Sequence, residues 1–339
     1  MSKRLLGGLT KLGAALALTM SFAAHAADQV SVQLDYVVRG SHAMFFVARD
    51  KGFFKDQNID VTSINRGSGS TDALRLVANG NSQFGFADLP TLMVGRSRDV
   101  PAVALAAVNQ LSPLALISVK DKHDLKKPSD LKGLNLGVHP SGSTYIFLKS
   151  FLSANGMSLS DIKQSTVSPP YESFLLLGRV DAVPGYINAE VPELEAKAGG
   201  KGSLSIMRGA DYGYDAYGSG MFTSEAMIAK NPDLVQRFTN AYLKAFEYVV
   251  NHPDDAVDII IKANPEYASK RAMLKSQLEA DMTTFFDAAT KERGIGVITA
   301  EQWKKTAEIL IAQEVLPKNA SLTAGYDMRF QQAAKPLHK

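Results

Sequence analysis

The sequence of 339 residues contains no cysteine. This absence excludes disulfide bonds, thiolate metal sites and an amino-terminal cysteine that carries a lipid anchor. Beyond its first eleven residues the chain also has no net charge, because Lys3, Arg4 and Lys11 account for the whole formal charge of +3. A chain that is otherwise neutral has no electrostatic footprint for nucleic acid. We therefore expect no nucleic-acid partner.

Motifs for catalysis and metal binding are also missing. No group of His, Asp and Glu residues has the spacing of metal ligands, and no Gly-x-Ser-x-Gly nucleophile elbow occurs. The glycine-rich loops lack the lysine that a nucleotide-binding P-loop places after its last glycine. We therefore expect a protein that is not an enzyme and that has neither a metal site nor a cofactor.

The amino terminus contains a pattern typical of a secretory signal peptide. Three basic residues precede an apolar run over 12–24, and Ala24-His25-Ala26 has the small-x-small form of a signal-peptidase site. The alternative is a membrane anchor, but the run is shorter than the roughly 20 residues that a spanning helix needs. No other window reaches that length. We therefore predict a signal peptide over residues 1–26 and a mature protein outside the cytoplasm.

The rest of the chain predicts an α/β fold with largely parallel sheets. Short apolar strands alternate with helices from strand 30–34 onward. The same strand-and-loop pattern begins again near residue 130, and the chain becomes helical after Ser224. With 45% apolar residues, a chain of this length can bury a large core and usually divides into two domains.

The first loop of the mature protein is the first candidate for a binding site. Asp35 and Tyr36 follow an apolar strand, and His42 begins the next helix. Open α/β sheets bind ligands at the carboxyl ends of their strands. Asp35 could accept hydrogen bonds from a ligand or pair with Arg39. His42 could contact a ligand or start its helix, and Asp88, which follows a later strand, could cap a helix or reach the cleft.

Two glycine- and serine-rich loops each precede a helix. The first spans residues 67–71 and the second residues 141–144. Such loops present backbone N–H groups and hydroxyls that suit an anion or a carbonyl oxygen. The alternative is an ordinary helix cap. The candidate binding residues in these loops are Gly67, Ser68, Ser70, Thr71, Ser141, Ser143 and Thr144.

Five segments of the chain form a recognisable set of motifs. They are Asp35-Tyr36, Ser41-His42-Ala43, A-x-x-K-G-F-F over 48–54, G-x-x-Q-F-G-F-A-D over 80–88 and L-K-G-x-x-x-G-V over 131–138. Together these segments resemble the substrate-binding proteins of ABC importers. Within this class, the chain is similar to the group related to the thiamine-pyrimidine synthesis proteins, which also includes nitrate-, sulfonate- and taurine-type binders.

The resemblance implies a type II periplasmic binding protein, in which two α/β lobes joined by two crossing strands close on a ligand. Applied here, lobe one covers 28–117 and 225–339, and lobe two covers 118–222. The strand that ends at Val119 and the strand that begins at Gly220 would be the crossings. It further implies a periplasmic protein, expected to be a monomer, that delivers a small molecule to an inner-membrane permease.

The resemblance also implies roles for residues of lobe two. In the pyrimidine-binding relatives an aromatic-x-Asn-x-Glu segment faces the ligand, and Tyr186, Asn188 and Glu190 have this spacing. We expect the rings of Tyr36 and Tyr186 to enclose a heteroaromatic ligand whose polar edge contacts Glu190 and Asn188. Glu190 could instead only begin an acidic helix. Tyr217 is expected to close one side of the pocket.

The ligand itself is left with alternatives. The leading one is a pyrimidine of the thiamine-precursor type. The second is an organic anion, namely a sulfonate, taurine or an aromatic carboxylate, which the two serine-rich loops favour and Glu190 opposes. In the third alternative the protein is an exported enzyme and not a binding protein. The relatives that synthesise the pyrimidine use a cysteine-rich motif, which this chain cannot contain.

The signal peptide can be tested directly. In a bacterium with a general secretory pathway, we expect cleavage after Ala26, because the small-x-small site ends there. Intact-mass measurement of the protein from the periplasmic fraction would show a chain that begins at Ala27. A periplasmic protein that still contains residues 1–26 would contradict this.

Overall fold

The structure is a computed structural model that describes residues 26–140, 142–167, 172–320 and 325–334. The predicted signal peptide, apart from Ala26, lies outside the described residues. Two five-stranded sheets, each covered by helices, form the framework. This confirms the predicted α/β class. We call the first sheet with its helices lobe one and the second sheet with its helices lobe two.

The strands are short and mostly buried, as expected from their apolar sequences. In β4, Ala-Val-Ala-Leu-Ala-Ala, every residue is buried. The strands are β1 (Asp28–Gln33), β2 (Ile59–Asn65), β3 (Phe84–Asp88), β4 (Ala102–Ala107), β5 (Leu114–Val119), β6 (Asn135–Val138), β7 (Lys163–Thr166), β8 (Ala182–Tyr186), β9 (Leu204–Arg208) and β10 (Ser219–Ser224).

The helices carry one apolar face each and cover the sheets. Several begin at signals visible in the sequence, such as Pro232, which starts α9, and Ser224, whose side chain caps α8. The helices are α1 (Ala43–Asp50), α2 (Phe53–Asp56), α3 (Ser70–Ala78), α4 (Leu89–Arg96), α5 (Ser143–Ala154), α6 (Glu172–Leu176), α7 (Glu190–Ala198), α8 (Glu225–Lys230), α9 (Pro232–Asn251), α10 (Pro253–Ala263), α11 (Arg271–Met282), α12 (Ala288–Arg293), α13 (Ala300–Ala312) and α14 (Arg329–Ala333).

The two sheets have the same arrangement of strands. The first sheet has the order β2-β1-β3-β10-β4 and the second the order β7-β6-β8-β5-β9. In each sheet the fourth strand, β10 or β5, is antiparallel to both of its neighbours. The other pairs are parallel, as in β1 with β2 and β6 with β7. Each antiparallel strand is the one by which the chain enters that sheet from the other lobe.

The crossings between the lobes lie a few residues before the predicted positions. The boundary predicted after residue 117 would cut β5, but all of β5 belongs to the second sheet. The end of lobe two predicted at residue 222 would cut β10, which belongs to the first sheet. The chain therefore crosses through 108–113 and returns through 216–218. These segments are hydrogen-bonded to each other, for example from the N–H of Gly218 to the carbonyl of Asn109 (3.0 Å).

The core of lobe one is organised around Phe238 of α9. Its ring stacks on Phe84 of β3, with the ring centroids 3.7 Å apart, and on Phe54, at 4.7 Å. All three side chains are buried. The carboxyl-terminal helices, which follow lobe two in sequence, thereby pack on the sheet formed by the amino-terminal strands.

Replacement of this ring tests the packing. We expect Phe238→Ala to lower the free energy of unfolding by about 3–5 kcal/mol, because the variant loses buried apolar contacts and leaves a cavity. Urea unfolding measures the change. The control Leu177→Ala, at a side chain that is 67% exposed, should change it by less than about 0.5 kcal/mol. Equal effects of the two substitutions would contradict this description of the core.

Candidate ligand-binding cleft

Loops from both lobes meet around a small polar cavity of about 40 Å³. Lobe one contributes the loops after β1 and β2, and lobe two the loops after β6 and β8. Many of the predicted residues line it. The lining residues are Asp35, Tyr36, Arg39, Ser68, Gly69, Ser70, His139, Gly142, Ser143, Thr144, Tyr186 and Glu190.

A buried carboxylate organises the lobe-one side of the cleft. Asp35 accepts a hydrogen bond from the guanidinium of Arg39 (2.8 Å) and contacts the Nε2 atom of His42 (2.9 Å). Arg39 also donates to the hydroxyl of Ser41 (2.9 Å), and its backbone N–H donates to Nδ1 of His42 (3.3 Å). The imidazole therefore accepts at Nδ1 and donates from Nε2. These contacts fix the conformation of residues 35–42.

Burial and charge pairing act in opposite directions on these groups. Burial alone would raise the pKa of Asp35, but Arg39 and His42 together hold it below its ordinary value. Burial lowers the pKa of His42 and outweighs its hydrogen bond to Asp35, so the imidazole is neutral at pH 7. Burial would also lower the pKa of Arg39, but Asp35 and neighbouring acidic groups raise it. The pair is therefore a charged one.

Arg39 occupies the space predicted for the ligand ring. Its guanidinium lies 5.3 Å from the ring centre of Tyr186 and 6.0 Å from that of Tyr36. The cation therefore stacks between the two aromatic residues that were expected to enclose a heterocycle. Ligand pockets usually have at least about 300 Å³, so a ring-sized ligand requires the lobes to separate or Arg39 to turn away.

The first glycine- and serine-rich loop is held closely against the Asp35 loop. Gly67 is required there, because a Cβ atom at this position would come within 2.1 Å of the carbonyl oxygen of Leu34. Ser68 bonds the carboxylate of Asp72 (3.1 Å), and the hydroxyl of Ser70 accepts from the backbone N–H of Asp88 (3.0 Å). Ser68 and Ser70 therefore line the cavity while they also tie α3 to its neighbours.

Asp88 caps α4, which was one of the two alternatives for this residue. One carboxylate oxygen accepts from the backbone N–H of Thr91 (3.0 Å) and from its hydroxyl (2.6 Å). The other oxygen is buried and has no hydrogen-bond partner among the residues that the structure describes. Burial raises the pKa of Asp88 to about 7, although the Thr91 contacts lower it. The carboxyl group is therefore partly protonated near neutral pH.

The lobe-two side of the cleft is built by hydrogen bonds between its own loops. The hydroxyl of Ser143 lies 2.7 Å from that of Tyr186. A carboxylate oxygen of Glu190 accepts from the backbone N–H of Tyr186 (2.7 Å). Glu190 is the first residue of α7 and also lines the cavity, and its contact with a ligand stays a prediction.

Several predicted site residues lie away from the cavity. His42 is fully buried behind Asp35, and Tyr217 is buried with its hydroxyl accepting from the N–H of Thr299 (2.9 Å). Thr71 lines a neighbouring groove instead. Asn188 bonds to Asp281 of α11. Ligand contact by these residues stays a prediction. Gly67 and Asp88 do not line the cavity either, and they support the lining residues through the contacts described above. Ser141 lies outside the described residues.

Arg39 was expected only as a partner for Asp35, and its place in the cleft was missed. The sequence did contain a signal for a buried position. Arg39 lies four residues after Asp35 and beside Val37, Val38 and Gly40, and a solvated charge is unusual among such apolar neighbours. Asp281 was missed as well. Burial raises its pKa to about 6, and it is far from the first loop in sequence.

A metal site and a membrane-spanning helix are both absent from the described parts of the chain. No three His, Cys, Asp or Glu side chains within them are placed as ligands of one metal ion. The same residues include no helix that is long and apolar enough to cross a membrane.

Two similar α/β lobes around a polar cleft define the class of the type II periplasmic binding proteins. The alkanesulfonate-binding protein SsuA from Xanthomonas axonopodis pv. citri, solved with bound MOPS, has this fold. It superposes with a TM-score of 0.67 at 15% identity, covering 89% of this chain and 100% of SsuA.

The family model described as NMT1/THI5 like matches residues 39–256, and the chain belongs to this family. The chain is 27% identical over 294 residues to the formylaminopyrimidine-binding protein of Halalkalibacterium halodurans, covering 86% of this chain and 87% of that protein. It is 24% identical over 309 residues to the riboflavin-binding protein RibY of Chloroflexus aurantiacus, covering 89% and 86%.

The raised pKa of Asp88 predicts a pH-dependent stability. The folded protein keeps this proton up to about pH 7, whereas the unfolded chain loses it near pH 3.8. Raising the pH from 4 to 7 therefore lowers the free energy of unfolding, and Asp88→Asn removes this contribution while an amide oxygen can still cap α4.

Urea unfolding at several pH values measures the effect. Between pH 4 and 7 the wild type should lose about 2–4 kcal/mol more than Asp88→Asn, at roughly 1.4 kcal/mol per pKa unit. The difference should become constant above about pH 8, where the folded protein has also lost this proton. Asp72→Asn, at a partly exposed carboxylate on α3, serves as the control. Parallel curves for the wild type and Asp88→Asn would show that the buried carboxyl group titrates normally.

Proposed function

We propose that the protein is a periplasmic solute-binding protein of an ABC importer that captures a small, polar heteroaromatic ligand of the pyrimidine type by closing its two lobes. The fold and the family membership support a binding function. The named relatives include a formylaminopyrimidine-binding protein and a riboflavin-binding protein, and both names refer to nitrogen heterocycles.

The observation that carries this proposal is that two carboxyl groups, those of Asp35 and Glu190, line the cavity together with Arg39. The guanidinium of Arg39 is already neutralised by Asp35 at 2.8 Å. The carboxylate of Glu190 at the same cavity favours ligands that donate hydrogen bonds or carry positive charge over anions.

Glu190 is the residue that we assign to the polar edge of the ligand. It lines the cavity, and one of its oxygens already accepts from the backbone of Tyr186. A carboxylate has lone pairs for several donors, so it can bind the amino group of an aminopyrimidine as well. The hydroxyls of Ser68 and Ser143 can donate to ring nitrogens or to a formyl oxygen, and the tyrosine rings supply flat apolar surface.

Binding would work by a shift between open and closed lobes. A ligand that contacts both lobes binds the closed form more strongly and raises its population. The loops after β1 and β2 lie on one lobe, and those after β6 and β8 on the other, so a molecule in the cleft touches both. The closed protein, expected to act as a monomer, would then dock on a permease in the inner membrane. We propose no catalytic step.

An organic anion is the second candidate ligand. Arg39 and the backbone N–H groups of the two serine-rich loops could bind a sulfonate or a carboxylate. It ranks second because the charge of Arg39 is already paired with Asp35 and because Glu190 lies at the same cavity.

Glu190→Gln distinguishes the two candidates. The glutamine oxygen can still accept from the N–H of Tyr186, while the negative charge is lost. We expect the dissociation constant for formylaminopyrimidine to rise about tenfold or more, because hydrogen bonds to a charged acceptor are stronger than those to a neutral one. Binding of an alkanesulfonate should be absent in both proteins or stronger in the variant. Isothermal titration calorimetry measures both ligands.

Glu193→Gln is the matched control. Glu193 lies one turn further along α7, pairs with Lys197 (2.7 Å) and does not line the cavity. This variant should bind formylaminopyrimidine like the wild type. A wild-type protein that binds sulfonates but none of a panel of pyrimidines would overturn the proposed ligand and favour the anion.

A further inference from the structure

Helix α11 (Arg271–Met282) packs against the lobe-one loop that carries Arg39. Gly40 lies so close to this helix that a Cβ atom would come within 2.5 Å of the backbone nitrogen of Leu278. Leu274 and Leu278 are both buried in the lobe-one core. Helix α11 is therefore a fixed part of lobe one, in direct contact with one half of the candidate site.

The same helix also contacts the other half. The carboxylate of Asp281 accepts a hydrogen bond from the side-chain amide of Asn188, and the side-chain amide of Gln277 donates to the carbonyl of Ala189 (3.0 Å). Asn188 and Ala189 lie between Tyr186 and Glu190, two of the lobe-two residues that line the cavity. Helix α11 thus holds the backbone of this loop through side chains that do not line the cavity of the candidate site.

The carboxyl-terminal end of α11 is anchored to a crossing between the lobes. Asp281 also accepts from the side-chain amide of Asn109 (2.6 Å), which donates to the hydroxyl of Thr284 as well (2.7 Å). The side-chain oxygen of Asn109 accepts from the N–H of Ser219, the first residue of β10 directly after the return crossing (3.1 Å). Asp281 therefore joins three parts of the chain: α11, the crossing and the lobe-two loop.

All the groups in this network are buried. Asn109, Asn188, Gln277 and Asp281 are each at most 5% exposed. Breaking one contact inside such a network leaves a buried polar group without a partner, which costs more than the contact contributes when formed. Because of this cost, the network stabilises one position of the lobe-two loop relative to α11 over other positions.

We propose that Asn188, Gln277 and Asp281 are positioning residues that hold the Tyr186–Glu190 loop against lobe one and so set the population of the closed form in the absence of ligand. The ligand part of this inference rests on the proposed function, but the contact between the loop and α11 does not. On this proposal Asn188 acts through Asp281 and is not a ligand contact, contrary to the role that the family resemblance implied for it.

A reciprocal exchange of the amide and the carboxylate tests the contact. Asn188→Asp places two carboxylates against each other and should release the loop. Adding Asp281→Asn restores an amide–carboxylate pair with the donor and acceptor reversed. In the wild type, Asn188 and Asn109 donate to the same oxygen of Asp281. The nitrogen of the amide introduced at position 281 must take the place of this oxygen to donate to the carboxylate at position 188, so the contact with Asn109 is lost. We therefore expect the single variant to be impaired and the double variant to be partly rescued.

Hydrogen exchange of the backbone amides over 186–191, without any ligand, is the main measurement. Asn188→Asp should speed this exchange about tenfold or more relative to the wild type, and the rate in the double variant should lie between those of Asn188→Asp and the wild type. Glu279→Gln, at an exposed position on the same helix, is the control and should exchange like the wild type. Thermal unfolding confirms that each variant is folded.

A second variant keeps the test decisive if Asn188→Asp does not fold. Gln277→Ala removes only the bond to the carbonyl of Ala189, and it should also speed exchange over 186–191. Unchanged exchange in Gln277→Ala, or equally fast exchange in Asn188→Asp and in the double variant, would overturn the proposal.

The affinity for formylaminopyrimidine provides a separate measurement. We expect Asn188→Asp to weaken binding about tenfold, mainly through faster dissociation, and the double variant to recover part of the lost affinity. If the wild type binds no pyrimidine, the proposed ligand fails, whereas hydrogen exchange still decides whether α11 holds the loop.

Discussion

The carboxylate of Asp35 is the group on which the candidate site depends. A buried guanidinium without a counter-charge is costly, and loss of one partner from a buried ion pair typically costs about 3–5 kcal/mol. Asp35 allows Arg39 to lie inside the molecule, and it also fixes the orientation of the neutral imidazole of His42. Arg39 in turn stands between the rings of Tyr36 and Tyr186. One short loop therefore determines the charge, the shape and the accessible space of the cleft.

The fold followed from local patterns in the sequence. Alternating strands and helices predicted the α/β class, and glycine- and serine-rich loops marked the helix starts that line the cleft. The exact crossings were not predictable from those patterns. Whether β5 and β10 belong to the first or the second sheet depends on pairing with strands far away in sequence, such as Met221 with Phe86, and strand periodicity contains no information about partners.

The sequence predicts the site residues that follow the ends of strands. It does not predict those whose position depends on contacts with residues far away in the chain. Asp35, Tyr36, Ser68 and Ser143 line the cavity because each follows a strand at the carboxyl edge of its sheet. The orientation of Asn188 could not be predicted, because its partner Asp281 lies 93 positions later.

The strand order also has a consequence for how the chain folds. The second sheet is built from one continuous segment, β5 to β9, and can form as soon as that segment is available. The first sheet cannot, because β10 separates β3 from β4 and pairs with both. Until residue 224 is present, the facing edges of β3 and β4 expose backbone donors and acceptors that β10 would pair. A chain shortened before β10 would therefore retain a complete lobe two beside an incomplete, aggregation-prone lobe one.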